Sequence, residues 1–238
     1  MPPRHHRTVD RVVAILELVA RARQGLTLAT ISEELGAPRT SVHELTNGLL
    51  ATGYLVERHQ RLYLGAGPFV LTLTANRSAA ISLSHEILAE ISEKLGLSVM
   101  AGIGVGDALV YIDHVGDNPA LEFVARNHSR RSLYATASGK IILADMPPRM
   151  MDSFLLNAPV RERDAVEGFL TELPSIRRDR LAYNLGATLP GIAAVATPLI
   201  GRDGSLIASI SVPVSKDRRA EIREIGEQLR SIVSTVTV

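Results

Sequence analysis

The chain has 238 residues, a formal net charge of only +1, 46% hydrophobic residues and no cysteine. Such a length has room for one large domain or two smaller ones, with ample apolar content for a packed core. The missing thiols exclude disulfides, zinc–thiolate sites and cysteine catalysis, and no apolar run approaches the roughly 20 residues of a membrane span.

Met1 to Arg7 is basic but is followed by no signal-peptide apolar core. A cytoplasmic protein is therefore expected. Thr8 is the expected N-cap of a first helix, with Val9, Val12, Val13, Leu16 and Val19 on its inner face. Arg21 and Arg23 suit the negative end of its dipole, and Gln24-Gly25 closes it. Leu28, Ile31 and Leu35 then fall at helical spacing, and Gly36-Ala37-Pro38 breaks the pattern. Val42, Leu45, Leu49 and Leu50 form a second apolar stripe, stopped by Gly53. Two short helices across a Gly-containing turn make a helix-turn-helix. The second presents Arg39, Thr40, Ser41 and His43 at its N-terminal end, where a recognition helix meets base edges and phosphates. Tyr54–Arg58 and Arg61–Leu64 read as a hairpin about His59-Gln60, a wing whose Arg58, His59 and Arg61 can reach phosphate. Residues 1–61 hold eight arginines against six acids, and four of the seven histidines. That excess is too small to establish DNA binding by charge alone.

Gly65-Ala66-Gly67-Pro68 marks a boundary after the wing. Ala79–Leu95 reads as a longer helix with Ile81, Ile87, Leu88, Ile91 and Leu95 on one side, a linker or a subunit contact, and equally well an ordinary helix covering the core. Beyond Gly96 the period changes. Leu97–Val105 and Ala108–Val115 read as strands joined at Gly106-Asp107, and Leu121–Ala125 as a third strand. Ser138–Ala144 reads as a short helix, followed by helices at Arg149–Leu156 and Arg161–Leu185, the latter interrupted at Pro174. Ile192–Ile200 and Ser205–Val214 make a second hairpin about Asp203-Gly204, and Arg218–Val233 closes the chain as a helix. Strand pairs interspersed with helices indicate an α+β domain with a mainly antiparallel sheet.

Catalytic signatures fail on inspection. The stretch from Ala135 to Ile141 has Tyr134 where a phosphate loop needs its first Gly, and Ile141 where it needs Ser or Thr. Lys140 follows Ser138 at two positions, not three, and no Gly-x-Ser-x-Gly elbow occurs. Histidine pairs at metal-ligand spacing are also missing, so no catalytic residue, metal or cofactor is expected. What survives is a helix start built of small residues, whose free backbone N–H groups suit a carboxylate. Tight packing at a turn explains the same residues and, from the residues alone, is the favoured reading.

These residues resemble the IclR family of bacterial transcription regulators over nearly the whole chain. The front matches in TVDRVVAILELVA, LATISEELGAPRTSVHELTNGLLATGYL and the wing, the rear in LYATASGKIILA and GIAAVATPLIGRDGSLIASISV. The resemblance implies an N-terminal winged helix-turn-helix (1–66), a linker helix region (67–95) and a C-terminal GAF-like effector domain (96–238). It further implies a homodimer or tetramer that binds double-stranded operator DNA and responds to a small organic acid. Effector positions carry over to Ala137, Ser138 and Gly139 at the helix start, to Asn184 where Asp is frequent, to Ala194 where Cys is frequent, and to Ser211. A second late polar position is Pro213. Polar contacts are thus fewer, which implies a more apolar pocket with room for an aromatic acid, and Lys140 is expected to point outward. Glu44 stands where many members carry Arg. Facing phosphate it would repel, so it either reads a base or points aside. The alternative function is an enzyme that uses the rear pocket, with the front domain as an accessory module.

Overall fold

The computed structural model describes residues 5–75 and 83–236. The chain divides into two compact units, residues 1–78 and 79–238.

In the first unit, α1 (Arg7–Arg21), α2 (Leu28–Glu34) and α3 (Arg39–Ala51) precede a hairpin of β1 (Leu55–Arg58) and β2 (Arg61–Leu64). α1 starts one residue before Thr8, with His6 at the cap and no side-chain capping bond, so Thr8 lies inside the first turn and does not cap it. The cap that does form is Thr27, whose side chain accepts from the Thr30 amide ahead of α2. Ile15, Val19, Ile31, Val42, Leu55 and Leu62 are buried together, so all three helices and both strands share one core. Between α2 and α3, Gly36 takes a φ of 54°, and the Ala37 amide donates to the Ser32 carbonyl. The wing turns on His59 and Gln60, both left-handed. Two consecutive left-handed residues match the right-handed twist of the strands they join. A further helix, α4 (Gly67–Ala75), follows where the sequence indicated only a boundary. It buries none of its residues, and Phe69, Val70, Leu71 and Leu73 are exposed.

The second unit opens with α5 (His85–Leu95), the described part of the long helix expected over Ala79–Leu95; 79–82 lie outside the described residues, and Leu83 and Ser84 are not helical. Next come β3 (Val99–Val105), β4 (Ala108–Val115), α6 (Pro119–Arg126), β5 (Arg130–Ser132), α7 (Ala137–Asp145), α8 (Pro148–Leu156) and α9 (Arg163–Asp179). β6 (Ala182–Leu189), β7 (Ile192–Ile200), β8 (Leu206–Ser215) and α10 (Ile222–Thr235) complete it. The six strands form one antiparallel sheet in the order β5-β4-β3-β8-β7-β6. Strand periodicity divides the residues between its two faces. Val99, Ala193, Val195, Ile210 and Val212 pack with α5 and α10 on one face. Ala182 and Ala196 face α7, α8 and α9 on the other.

Three expectations for this unit are corrected. Leu121–Ala125 is not a strand: Asn118 caps α6 by accepting from the amides of Ala120 and Leu121, and Pro119 sits at its first turn. Leu121, Val124 and Ala125 are the buried stripe of that helix. Pro174 does not interrupt α9, which runs through it. Pro174 and Leu170, whose carbonyl loses its donor, both lie on the solvent side, where water satisfies the freed group. Finally, residues 182–185 belong to β6 and not to a helix, because Arg180 takes a left-handed conformation that ends α9.

Candidate functional site

Two groups of residues stand out, one in each unit. On α3 the exposed residues are Arg39, Thr40, His43, Glu44, Asn47, Gly48 and Ala51. Thr40, His43 or Glu44, and Asn47 follow helical spacing and form one polar face. Asn47 Nδ2 and His43 Nδ1 lie 3.3 Å apart, which fixes the two side chains relative to each other. Ser41 departs from this face. It is half-buried, and its Oγ accepts from Arg11 Nη1 at 3.2 Å, tying α3 to α1. On the wing Arg58 is exposed, while Arg61 donates from Nη1 to the Gly25 carbonyl at 3.1 Å. Arg61 is thus partly engaged in holding β2 to the turn after α1. Asn47 belongs to the polar face and was legible one turn beyond His43; the sequence reading missed it by stopping at the first turn of the helix.

In the second unit a cavity of about 50 Å³ lies on the sheet face beneath α6 and the start of α7. Strand register explains its walls. Met100 pairs with Ser211, Ser211 with Ala196, Ala194 with Pro213 and Asn184 with Ala194, so neighbouring strands bring these side chains to one face. Tyr111 reaches the same face opposite Gly102, where a Cβ would fall 3.3 Å from its ring. α7 presents Thr136 and Ala137 to the cavity, and β5 presents Arg131. Ser138 and Gly139 lie behind this wall and not on it. Gly139 has a packing reason to be glycine: a Cβ there would lie 2.4 Å from the Leu133 carbonyl oxygen.

The polar groups here are unevenly satisfied. Thr136 caps α7 by accepting from the Gly139 amide at 3.0 Å, and leaves the amides of Ala137 and Ser138 with no acceptor inside the helix. Among the described residues, the buried hydroxyls of Ser138, Ser209 and Ser211 make no hydrogen bond of good geometry, although those of Ser138 and Ser211 lie beside the Tyr111 phenol. Burial pushes the Tyr111 phenol above its ordinary pKa, opposed by the nearby hydroxyls of Ser138 and Ser211 and by the charge of Arg131. Asn184 faces the cavity with its amide already engaged. Its Oδ1 accepts from the amides of Gly186 and Ala187, and its Nδ2 donates to Thr188 Oγ1. Those bonds shape a bulge in β6, because the register jumps between Asn184 and Leu189.

Lys140 leaves the cavity but does not reach solvent. Its side chain is 9% exposed, and Nζ donates to both carboxylate oxygens of Glu172 and to the Tyr183 carbonyl. Lys140 thus points away from the cavity, as expected, but to a partner and not to solvent: it crosses α7 towards α9 and pins both to β6. Arg131, Tyr111 and Thr188 were not anticipated. β5 is three residues long and carries no periodic pattern, and β4 alternates without revealing which face borders a cavity.

Comparison with known proteins adds independent findings. The IclR helix-turn-helix domain matches residues 8–59, and the bacterial transcriptional regulator IclR C-terminal domain matches residues 73–238. The chain is 30% identical over 215 residues to the HTH-type transcriptional regulator Rv1719 of Mycobacterium tuberculosis, covering 88% of this chain and 83% of that protein. It is 28% identical over 216 residues to the probable transcriptional regulator SauR of Cupriavidus necator, covering 87% and 86%. Among solved structures, an IclR-family regulator from Brucella abortus superposes with a TM-score of 0.68 at 18% identity, over 97% of this chain and 91% of that one. An IclR homologue from Microbacterium hydrocarbonoxydans, complexed with 4-hydroxybenzoate, gives 0.65 at 17% identity, over 96% and 100%. At these identities the structural likeness speaks for the fold.

Proposed function

Because the chain belongs to the IclR family of bacterial transcriptional regulators, we propose that it binds operator DNA through α3 and the wing and that a small organic acid in the second-unit cavity modulates this binding. The observation that carries the effector half is that the buried Ser211 hydroxyl makes no hydrogen bond of good geometry among the described residues and has only the Tyr111 phenol beside it, on a cavity that also borders the free amides of α7. Leaving a buried polar group unmade costs about 1–3 kcal/mol, a cost that a ligand oxygen removes. The 4-hydroxybenzoate held by the Microbacterium homologue supports an acid as ligand. A cavity of about 50 Å³ is well below the roughly 300 Å³ of a typical ligand site. It suits a small acid as it stands, and an aromatic one only if the β6 bulge moves.

On the DNA side, Arg39, Thr40 and His43 are the proposed contacts from α3, with Asn47 added to them. Ser41 acts by fixing α3 on α1. Arg58 meets phosphate from the wing, with Arg61 beside it. The protein is proposed to act as a dimer or tetramer in the cytoplasm and to catalyse no reaction, in line with relatives named as regulators. The exposed apolar residues of α4 support self-association, since monomers rarely leave such a patch open.

The test is binding of the purified chain to the DNA upstream of its own gene, across a salt series and with candidate acids. Salt-dependent binding that an acid shifts is expected. Absence of salt-dependent binding would favour the enzyme reading, with the cavity as its active site.

A further inference from the structure

We infer that Arg131 is the counter-charge of the effector, and that the cavity selects organic carboxylates over neutral molecules of the same shape through this one residue. The inference rests on reading the cavity as the effector site. Arg131 lines the cavity from β5, where its backbone pairs with Leu109 of β4. It is half-buried, and among the described residues its guanidinium makes no hydrogen bond or ion pair. Its neighbours differ. Arg130 donates to the Val105 carbonyl at 3.2 Å, and Lys140 is paired with Glu172. Among the described residues no Asp or Glu lines the cavity, and the position where the family often has Asp holds Asn184 with its amide engaged.

The cavity wall therefore carries one positive charge, the positive end of α7 and no negative charge. A guanidinium drawn partly out of water and left unpaired is unfavourable, and its attraction for an anion strengthens as water is excluded. Arginine and carboxylate meet through two parallel hydrogen bonds, which also fix the ligand's orientation. Tyr111 feels the charge of Arg131 and also adjoins Ser211. Tyr111 lines the same cavity and so offers a ligand held on Arg131 a polar neighbour, and the cavity's small volume keeps that ligand short.

Calorimetry on the full chain decides the matter, with acetate, pyruvate and benzoate against acetamide and benzamide. The proteins are the parent, Arg131→Gln, Arg131→Lys and Ala194→Trp, each checked for folding by thermal melting. At least one acid should bind the parent about tenfold or more tightly than its amide does. Arg131→Gln should weaken acid binding about tenfold or more and so abolish that preference, and Arg131→Lys should restore part of it. Equal affinity of an acid for parent and Arg131→Gln, equal binding of acid and amide, or no binding by any of the acids at millimolar concentration overturns the inference. Ala194→Trp fills the cavity and separates the two readings. Acid binding that survives Ala194→Trp refutes the cavity itself, whereas binding lost there but kept in Arg131→Gln refutes only the role of Arg131.

Discussion

Arg58 and Arg61 sit at the two ends of the wing's turn and differ in what they hold. Arg58 is exposed, while Arg61 holds the Gly25 carbonyl. Replacing Arg58 by Ala should flatten the salt dependence of operator binding by about one unit and leave stability unchanged. Arg61→Ala should lower both, and Arg61→Lys should preserve the slope while losing the bond to Gly25. Salt titrations paired with urea melts separate these effects; equal slopes for Arg58→Ala and the parent would remove that side chain from the interface. His114 offers a pH test in the second unit. Its Nε2 is buried without a partner, and burial lowers its pKa below 6.5 despite the nearby carboxylates of Glu122, Asp113 and Asp117. The unfolded chain therefore binds a proton at a higher pH than the folded one. Stability should be intact above about pH 6.5 and fall as pH drops towards the folded pKa. His114→Gln should remove that limb from a plot of urea midpoint against pH between about 5 and 7; an unchanged slope would show that the imidazole does not govern it.

Two elements are held by single details. α7 lies against the preceding turn so closely that only glycine fits at position 139, with backbone 2.4 Å from the missing Cβ. Gly139→Ala should cost about 1–3 kcal/mol, because the obstacle is backbone and cannot rotate away. It should also displace the start of α7, so acid binding should weaken more than DNA binding. The wing tip runs the other way. His59 and Gln60 have φ values of 50° and 60°, a conformation that L-residues with a Cβ adopt at a cost of about 1–2 kcal/mol. Gln60→Gly should raise the thermal midpoint of the first unit while operator affinity stays level. A lower midpoint would mean that the Gln60 side chain makes a contact of its own.

For the molecule as a whole, the surface of α4 is the informative feature. Phe69 is 65% and Leu73 61% exposed, one turn apart on a helix with no buried residue. A winged helix alone makes few phosphate contacts, and a two-fold pair reads half-sites about one helical turn, or a multiple of it, apart. Sedimentation at micromolar concentration should therefore find at least a dimer. The double substitution Phe69→Asp with Leu73→Asp should shift it towards monomer and weaken operator binding. A dimer unaffected by these charges would place the contact elsewhere, for example in the second unit.

Much of this was legible in the residues themselves. Helical spacing from Leu28 to Leu50 and the breaker at Gly36 to Pro38 are local signals, and local signals specify a helix-turn-helix because neighbouring residues decide it. The apolar run Ile192–Ile200, with a turn at Asp203-Gly204, likewise marked the late hairpin. Where local signals competed, tertiary context prevailed. Asn118 and Pro119 turned an apolar run into a helix, and solvent on one side of α9 let Pro174 stay inside it. The cavity lay furthest from reach. Its walls come from β3, β4, β5, β6, β7 and β8 together with α6 and α7, brought to one face by register across a non-sequential sheet. Sequence patterns marked the helix start, and the family resemblance named Asn184, Ala194 and Ser211, three positions on that face. Only the fold put Arg131 beside them with no partner among the described residues, turned Lys140 towards Glu172 and engaged Asn184 in the bulge. Pairing is a property of distances between segments far apart in sequence, and no local pattern encodes those distances.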